Sequence, residues 1–255
     1  MTLRALLFVT ILVFMPLTSV NAAGDAPKAP SQDWSFSGPF GMYDQSSLQR
    51  GLKVYREVCA SCHSMRMVYF RNFEALGYNE AQIKNIAAEY TVMDGPNEEG
   101  DMFERTALPS DAYPSPFVND KAAAYANGGA IPPDFSLITK ARANGSNYLY
   151  ALLTGYSEPP HGAEVVEGKY WNKYYPGHNI SMAPPLMDEQ VSYEDGSPET
   201  VEQYARDLSH FLTWTADPYM EERKKTGFRV VLFLLIFAGV MYSVKRKTWA
   251  HLHDH

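Results

Sequence analysis

The chain has 255 residues, of which 45% are hydrophobic and 13% aromatic, enough for one or two packed domains and too apolar for a disordered chain. A net charge of −7 gives no expectation of a nucleic-acid partner, and two cysteines exclude a disulfide framework. Seventeen prolines and seventeen glycines point to long structured loops.

At the N-terminus, Arg4 precedes an apolar run from Ala5 to Leu17 and small residues through Ala22 and Ala23. That order of basic, apolar and small residues predicts a secretory signal peptide over residues 1–23, of the short bacterial kind. The apolar run is too short to span a bilayer. Residues 24–45 are rich in Pro, Gly and Ser and read as an extended arm.

Helical spacing begins at Ser46, with Ser46 and Gln49 in capping-box positions. Leu48, Gly51, Leu52, Tyr55 and Val58 then make one apolar face that delivers the chain to Cys59.

Cys59-Ala60-Ser61-Cys62-His63 is the central motif. Two thiols separated by two residues, with histidine directly after, form the attachment pattern of a c-type haem. Each sulfur adds to one porphyrin vinyl group, and the adjacent imidazole is placed to serve as the proximal iron ligand. A dithiol redox centre, half of a zinc site and a small disulfide loop use the same spacing. Zinc would need two further ligands at comparable spacing, and the chain has no second Cys pair.

A second helix is predicted from about Glu80 to Tyr90 on Ile83, Ile86, Ala87 and Tyr90. From Asp94 to Asn119 the periodicity fails among glycines and prolines, which predicts a long loop carrying an acidic run at Glu98, Glu99, Asp101 and Glu104. An alanine-rich helix follows from Lys121 to Asn127, stopped by Gly128-Gly129. Another short helix covers Tyr148 to Leu153 and ends at Gly155; residues 156–181 show no period.

Met182-Ala183-Pro184-Pro185 stands about twenty residues before an amphipathic helix on Val201, Tyr204, Ala205, Leu208, Phe211 and Leu212. That is the ordinary layout of a class I c-type cytochrome, in which the first and last helices cross and Gly51 would permit close approach. Met182 is then the candidate sixth ligand to the iron, with Met187 and His178 as alternatives.

The C-terminus carries an uncharged apolar run from Val230 to Val244, followed by Lys245-Arg246-Lys247 and Trp249. Residues 227–244 would extend about 27 Å at ~1.5 Å per residue, close to a hydrocarbon core of about 30 Å. The basic triplet predicts a cytoplasmic tail, so the body of the protein lies on the other side. The predicted division is signal peptide 1–23, exported haem domain 24–226, transmembrane helix 227–245 and tail 246–255.

From about Leu48 to Trp249 the chain resembles the cytochrome c1 family, the haem subunit of the ubiquinol–cytochrome c oxidoreductase. The resemblance rests on Val-Cys-Ala-Ser-Cys-His-Ser-Met (58–65), Asp-Gly-Pro-Asn-Glu-Glu-Gly-Asp-Met-Phe (94–103), Gly-Ala-Ile-Pro-Pro-Asp (129–134), Leu-Leu-Thr-Gly-Tyr (152–156) and Met-Ala-Pro-Pro (182–185). It implies a mainly α, class I cytochrome c-like domain with long loop insertions and one C-terminal transmembrane helix. It also implies one covalently bound haem c on Cys59 and Cys62, ligated by His63 and Met182, with Arg142 and Tyr148 at the propionates. The implied role is electron transfer from a Rieske iron–sulfur protein to a c-type cytochrome, beside cytochrome b, with no enzyme activity of its own. The implied location is the bacterial inner membrane, single-pass, with the haem domain in the periplasm. Some bacterial relatives carry an additional disulfide; this chain lacks the cysteines for it.

Overall fold

The computed structural model describes residues 27–250; the expected signal peptide at 1–23 and residues 251–255 lie outside them. The arm of residues 27–44 is extended but tied down. Trp34 is buried and its indole N–H donates to Asn147 Oδ1 at 2.7 Å, while the Gln32 amide shares the same acceptor at 2.9 Å.

Helix α1 spans Gln45–Val54. Its N-cap is Asp44, whose carboxylate accepts from Ser47 N at 2.8 Å and Ser47 Oγ at 2.7 Å, and not Ser46 as the spacing predicts. An ionised carboxylate outcompetes a hydroxyl for the free amides of a first turn. The helix then widens into a π-helical turn over Tyr55–Cys59. Val54 and Cys59 join Leu48, Leu52 and Tyr55 in the core, while Val58, inside the π turn, is half-buried.

A 3₁₀ segment, Phe70–Leu76, precedes α2, Glu80–Ala88, which opens on a reciprocal Asn79–Gln82 capping box at 2.9 and 3.0 Å. The predicted loop of 94–119 contains ordered structure. Strands β1 (Thr91–Asp94) and β2 (Phe103–Thr106) form an antiparallel hairpin pairing Thr91 with Thr106 and Asp94 with Phe103. Arg105 fastens it by ion pairs to Asp94 and Asp111, and the acidic run lies exposed around its tip.

Helix α3 is Asp120–Ala126 and α4 is Gly145–Thr154, each near its predicted place. Strands β3 (Tyr170–Trp171) and β4 (Asn179–Ile180) form a minimal hairpin within 156–181. Helix α5, Val201–Ala216, is capped by Thr200 and packs on both α1 and α4. Arg50 Nε and Nη2 clamp the Asp207 carboxylate at 2.8 and 3.0 Å, and Asp207 is fully buried. A fork–fork pair of this kind offsets the cost of burying the carboxylate.

Helix α6 runs Met220–Trp249, longer at both ends than the predicted span of 227–245. It is long and apolar enough to cross a membrane, and its apolar window is wholly exposed. The molecule is thus mainly helical, with small hairpins set in long connections.

Candidate functional site

The π turn at the end of α1 closes with Ala60 N donating to Tyr55 O at 2.8 Å. The next turn folds Cys62 N and His63 N back onto Cys59 O at 3.1 and 2.9 Å. Cys59, Cys62 and His63 therefore share one compact turn. Both thiols are free; Cys59 is buried and Cys62 half-buried.

His63 is only 8% exposed and held from several sides. Its Nδ1 lies 2.9 Å from Pro133 O. A carbonyl can only accept, so the proton resides on Nδ1 and the Nε2 lone pair is left for a metal. The ring stacks on Phe135 with centroids 3.9 Å apart and planes at 17°. Tyr55 OH donates to His63 O at 2.9 Å. Burial, opposed by the Pro133 bond and the charge of Asp134, holds the imidazole below its ordinary pKa, so it stays neutral.

Asp134 clamps the two segments together. Its carboxylate accepts from Ser64 Oγ at 2.7 Å, Arg66 N at 3.0 Å and Ser136 N at 2.9 Å, and Phe135 N donates to Ser64 O at 2.8 Å. Burial by itself would raise this carboxyl; hydrogen bonds from Ser136, Arg66 and Ser64 hold it below the ordinary carboxylate range. The residues 133–136 carry this role through a backbone carbonyl, a ring and a carboxylate. Sequence reasoning recognised Pro132-Pro133-Asp134 as a motif without assigning it work; the run of Pro, Pro and Asp was the available signal.

Of the other predicted residues, Arg142, Tyr148 and Met182 are linked through Tyr156, while Met187 stands apart from them. Arg142 is exposed, and among the described residues it has no carboxylate partner; its guanidinium donates to Ala141 O at 3.1 Å. Tyr148 is half-buried, and its phenol is pushed up by burial and drawn back by the charge of Arg142. Tyr148 in turn acts on Tyr156, whose hydroxyl donates to Met182 O at 3.0 Å. Met182 is half-buried. Met187 is 64% exposed, and its amide is held by Gln190 Oε1 at 2.9 Å. His178 stacks on Trp171 at 4.6 Å, with Nδ1 3.1 Å from Asn172 O. Among the described residues no hydrogen bond joins His63 to the Met182 segment.

The donor set fits a covalently attached haem: two free thiols at the required gap, an imidazole with Nε2 available, and an uncompensated arginine beside a half-buried tyrosine. It fits a dithiol oxidoreductase badly, because that chemistry needs a low-pKa accessible thiol. The Cys59 thiol is pushed up to about 12 by burial, with Cys62 adding to the rise.

Crossed first and last helices of the domain, a CxxCH turn and a trailing helix long and apolar enough to cross a membrane define a protein of the c-type cytochrome class. The profile of the Cytochrome C1 family matches residues 34–252, and the chain belongs to that family. It is 50% identical to a "Cytochrome b/c1" of Bradyrhizobium diazoefficiens over 93% of this chain, which spans 38% of that protein's length. It is 49% identical to a cytochrome c1 of Rhodospirillum rubrum over 86% of each chain. A mitochondrial cytochrome c1 haem protein of Arabidopsis thaliana is 46% identical over 95% of this chain and 79% of its own. The family supplies the haem subunit of the bc1 complex.

Proposed function

We propose that this chain is the electron-carrying subunit of a ubiquinol–cytochrome c oxidoreductase. It holds one haem c through Cys59 and Cys62, takes electrons singly from a Rieske iron–sulfur protein and passes them to a c-type cytochrome. Cytochrome b is its membrane neighbour, and the chain performs no acid–base chemistry of its own. The haem domain stands in the periplasm of a bacterium, and α6 crosses the inner membrane with Lys245-Arg246-Lys247 at the cytoplasmic face.

Bound haem supplies reversible one-electron exchange at its iron. The residues supply the rest. Pro133 keeps the proton on His63 Nδ1, so Nε2 would be the nitrogen that holds the iron. Phe135 and the buried surroundings of His63 keep water from that nitrogen. Met182 would supply a thioether as the second ligand, and pairing thioether with imidazole raises the reduction potential of a haem iron. Arg142, with Tyr148 beside it, would pair with a propionate whose charge would otherwise lie partly buried.

The observation that carries this reading is His63: buried, neutral and with Nδ1 already occupied, directly after the paired thiols. A reduced-minus-oxidised absorption spectrum of purified protein tests it. Haem bands that remain with the polypeptide after acid–acetone extraction, and no alkylatable thiol, are expected. A colourless protein with two reactive thiols would overturn the reading.

A further inference from the structure

The arm makes a closed loop at Ser37–Phe40 before it enters α1. Ser37 N donates to Trp34 O at 2.9 Å, Met42 N donates to Ser35 O at 3.0 Å, and Gly38 takes φ +72°. The loop contains no charged residue, and Phe40 at its tip is 75% exposed.

Phe40 does not stand alone. Its ring lies 5.9 Å from that of Phe228 on α6, at 64°, in an edge-to-face contact. The base of the loop is gripped by the same helix. Lys224 Nζ donates to Phe36 O at 2.7 Å and Gly41 O at 3.0 Å, and Tyr43 N donates to Glu221 Oε1 at 2.9 Å. The loop is therefore a fixed attachment to the first turns of α6. Phe228 precedes the uncharged run that begins at Val230 by two residues, about 3 Å along the axis at ~1.5 Å per residue. Lys225 and Arg229 are exposed around this level, while Arg223 is paired with Asp217 at 2.5 Å. An apolar tip with a collar of cations is the chemistry of a headgroup boundary, where aromatic rings bury and Lys or Arg meet phosphate.

We propose that the Ser37–Phe40 loop is a second, non-spanning contact with the lipid bilayer. Phe40 enters the boundary between headgroups and acyl chains beside Phe228. Because the loop is fastened to both α1 and α6, this contact sets the height and tilt of the haem domain above the membrane. The proposal rests on the reading that α6 spans the bilayer.

Single nitroxide labels on the full haem-loaded chain, reconstituted in phosphatidylcholine–phosphatidylglycerol vesicles, test it. Labels go at Phe40→Cys, at Pro39→Cys with Phe40 retained, at Ser31→Cys and at Ile236→Cys. Ser31 is exposed, and its neighbour Gln32 meets Arg206 within α5, well before the chain reaches α6. Relaxation by oxygen is compared with relaxation by a water-soluble nickel chelate. Positions 40 and 39 are expected to favour oxygen, with position 39 shallower, while position 31 shows the inverse preference. Nickel access at 40 equal to that at 31 would overturn the proposal. Shielding of position 40 from both agents, with an immobilised spectrum, would also overturn it, by showing protein in place of lipid. Position 236 reports separately: nickel access there would remove the span itself.

Discussion

Gly51 on α1 faces the Asp207 carbonyl on α5 so closely that a Cβ at position 51 would lie 2.2 Å from that oxygen and 2.6 Å from Phe211 Cβ. Real side chains do not approach a backbone so nearly, and neither neighbour is the free end of a flexible chain. The two helices cross here, one residue from the Arg50–Asp207 pair, and this crossing holds the end of α1 that presents Cys59. Gly51→Ala should therefore cost about 3 kcal/mol or more, by overpacking a contact that cannot open without moving backbone. Denaturant titration of the haem-loaded protein measures it; a midpoint within error of the parent would mean that the crossing relaxes freely.

Asp134 supports three donors, two of them backbone amides: Ser64 Oγ and Arg66 N just after the His63 turn, and Ser136 N on its own segment. Asp134→Ala leaves them without their charged acceptor and should destabilise the domain by about 2–4 kcal/mol. Covalent attachment through Cys59 and Cys62 should survive in the folded fraction. Thermal unfolding followed at a haem band is the check, and an unchanged transition would remove Asp134 as the clamp.

How far this was legible in the sequence follows from how each contact is made. The crossing was readable, because Leu48, Gly51, Leu52 and Tyr55 recur at helical spacing and Gly51 is the one small residue on that face. The thiols and His63 were readable because side chains carry their chemistry. Pro133 was not, since its carbonyl does the work and a backbone atom leaves no mark on composition. The π turn was hidden for a similar reason: Tyr55–Cys59 keeps helical residues, and nothing in their composition marks the wider turn. The β1–β2 hairpin was masked by the Gly and Pro residues between its short strands, and Asp44 was overlooked as a cap beside a Ser that fits the same pattern.

His210 gives a dependence on pH. It is buried against Trp34, Phe36 and Tyr43, and its Nε2 accepts from Asp44 N at 3.2 Å and lies 3.3 Å from Ser35 Oγ. Its pKa is lowered to about 4, chiefly by burial; Asp44 and Asp207 pull it up, and Arg206 and Arg50 push it down. The folded value lies below the unfolded value of about 6.5, so the neutral form contributes stability that is present above pH 6.5 and lost as pH falls through 4. The loss should reach about 3 kcal/mol well below pH 4. His210→Gln keeps an acceptor for Asp44 and should flatten stability between pH 6.5 and 4 relative to the parent. Parallel stability profiles for the two proteins would show that His210 does not titrate in this window.

Arg142→Ala should keep the covalent haem and lower its midpoint potential. Removing a cation near the haem favours the ferric form, and one partly screened charge is worth on the order of 20–70 mV. Potentiometric titration at two ionic strengths reads the shift. A potential equal to the parent at both, with normal assembly, would place Arg142 outside the site.

The central claim is that His63 and Met182 together hold the iron at a potential high enough to receive electrons from a Rieske centre. Spectroelectrochemical titration of the full chain and of Met182→Leu tests it most directly. Both proteins should carry haem through Cys59 and Cys62, since neither thioether bond involves Met182. The variant's midpoint should fall by at least ~120 mV, about a hundredfold at ~59 mV per tenfold for one electron. An unchanged potential in Met182→Leu would contradict the account and move the sixth ligand to another residue, Met187 first.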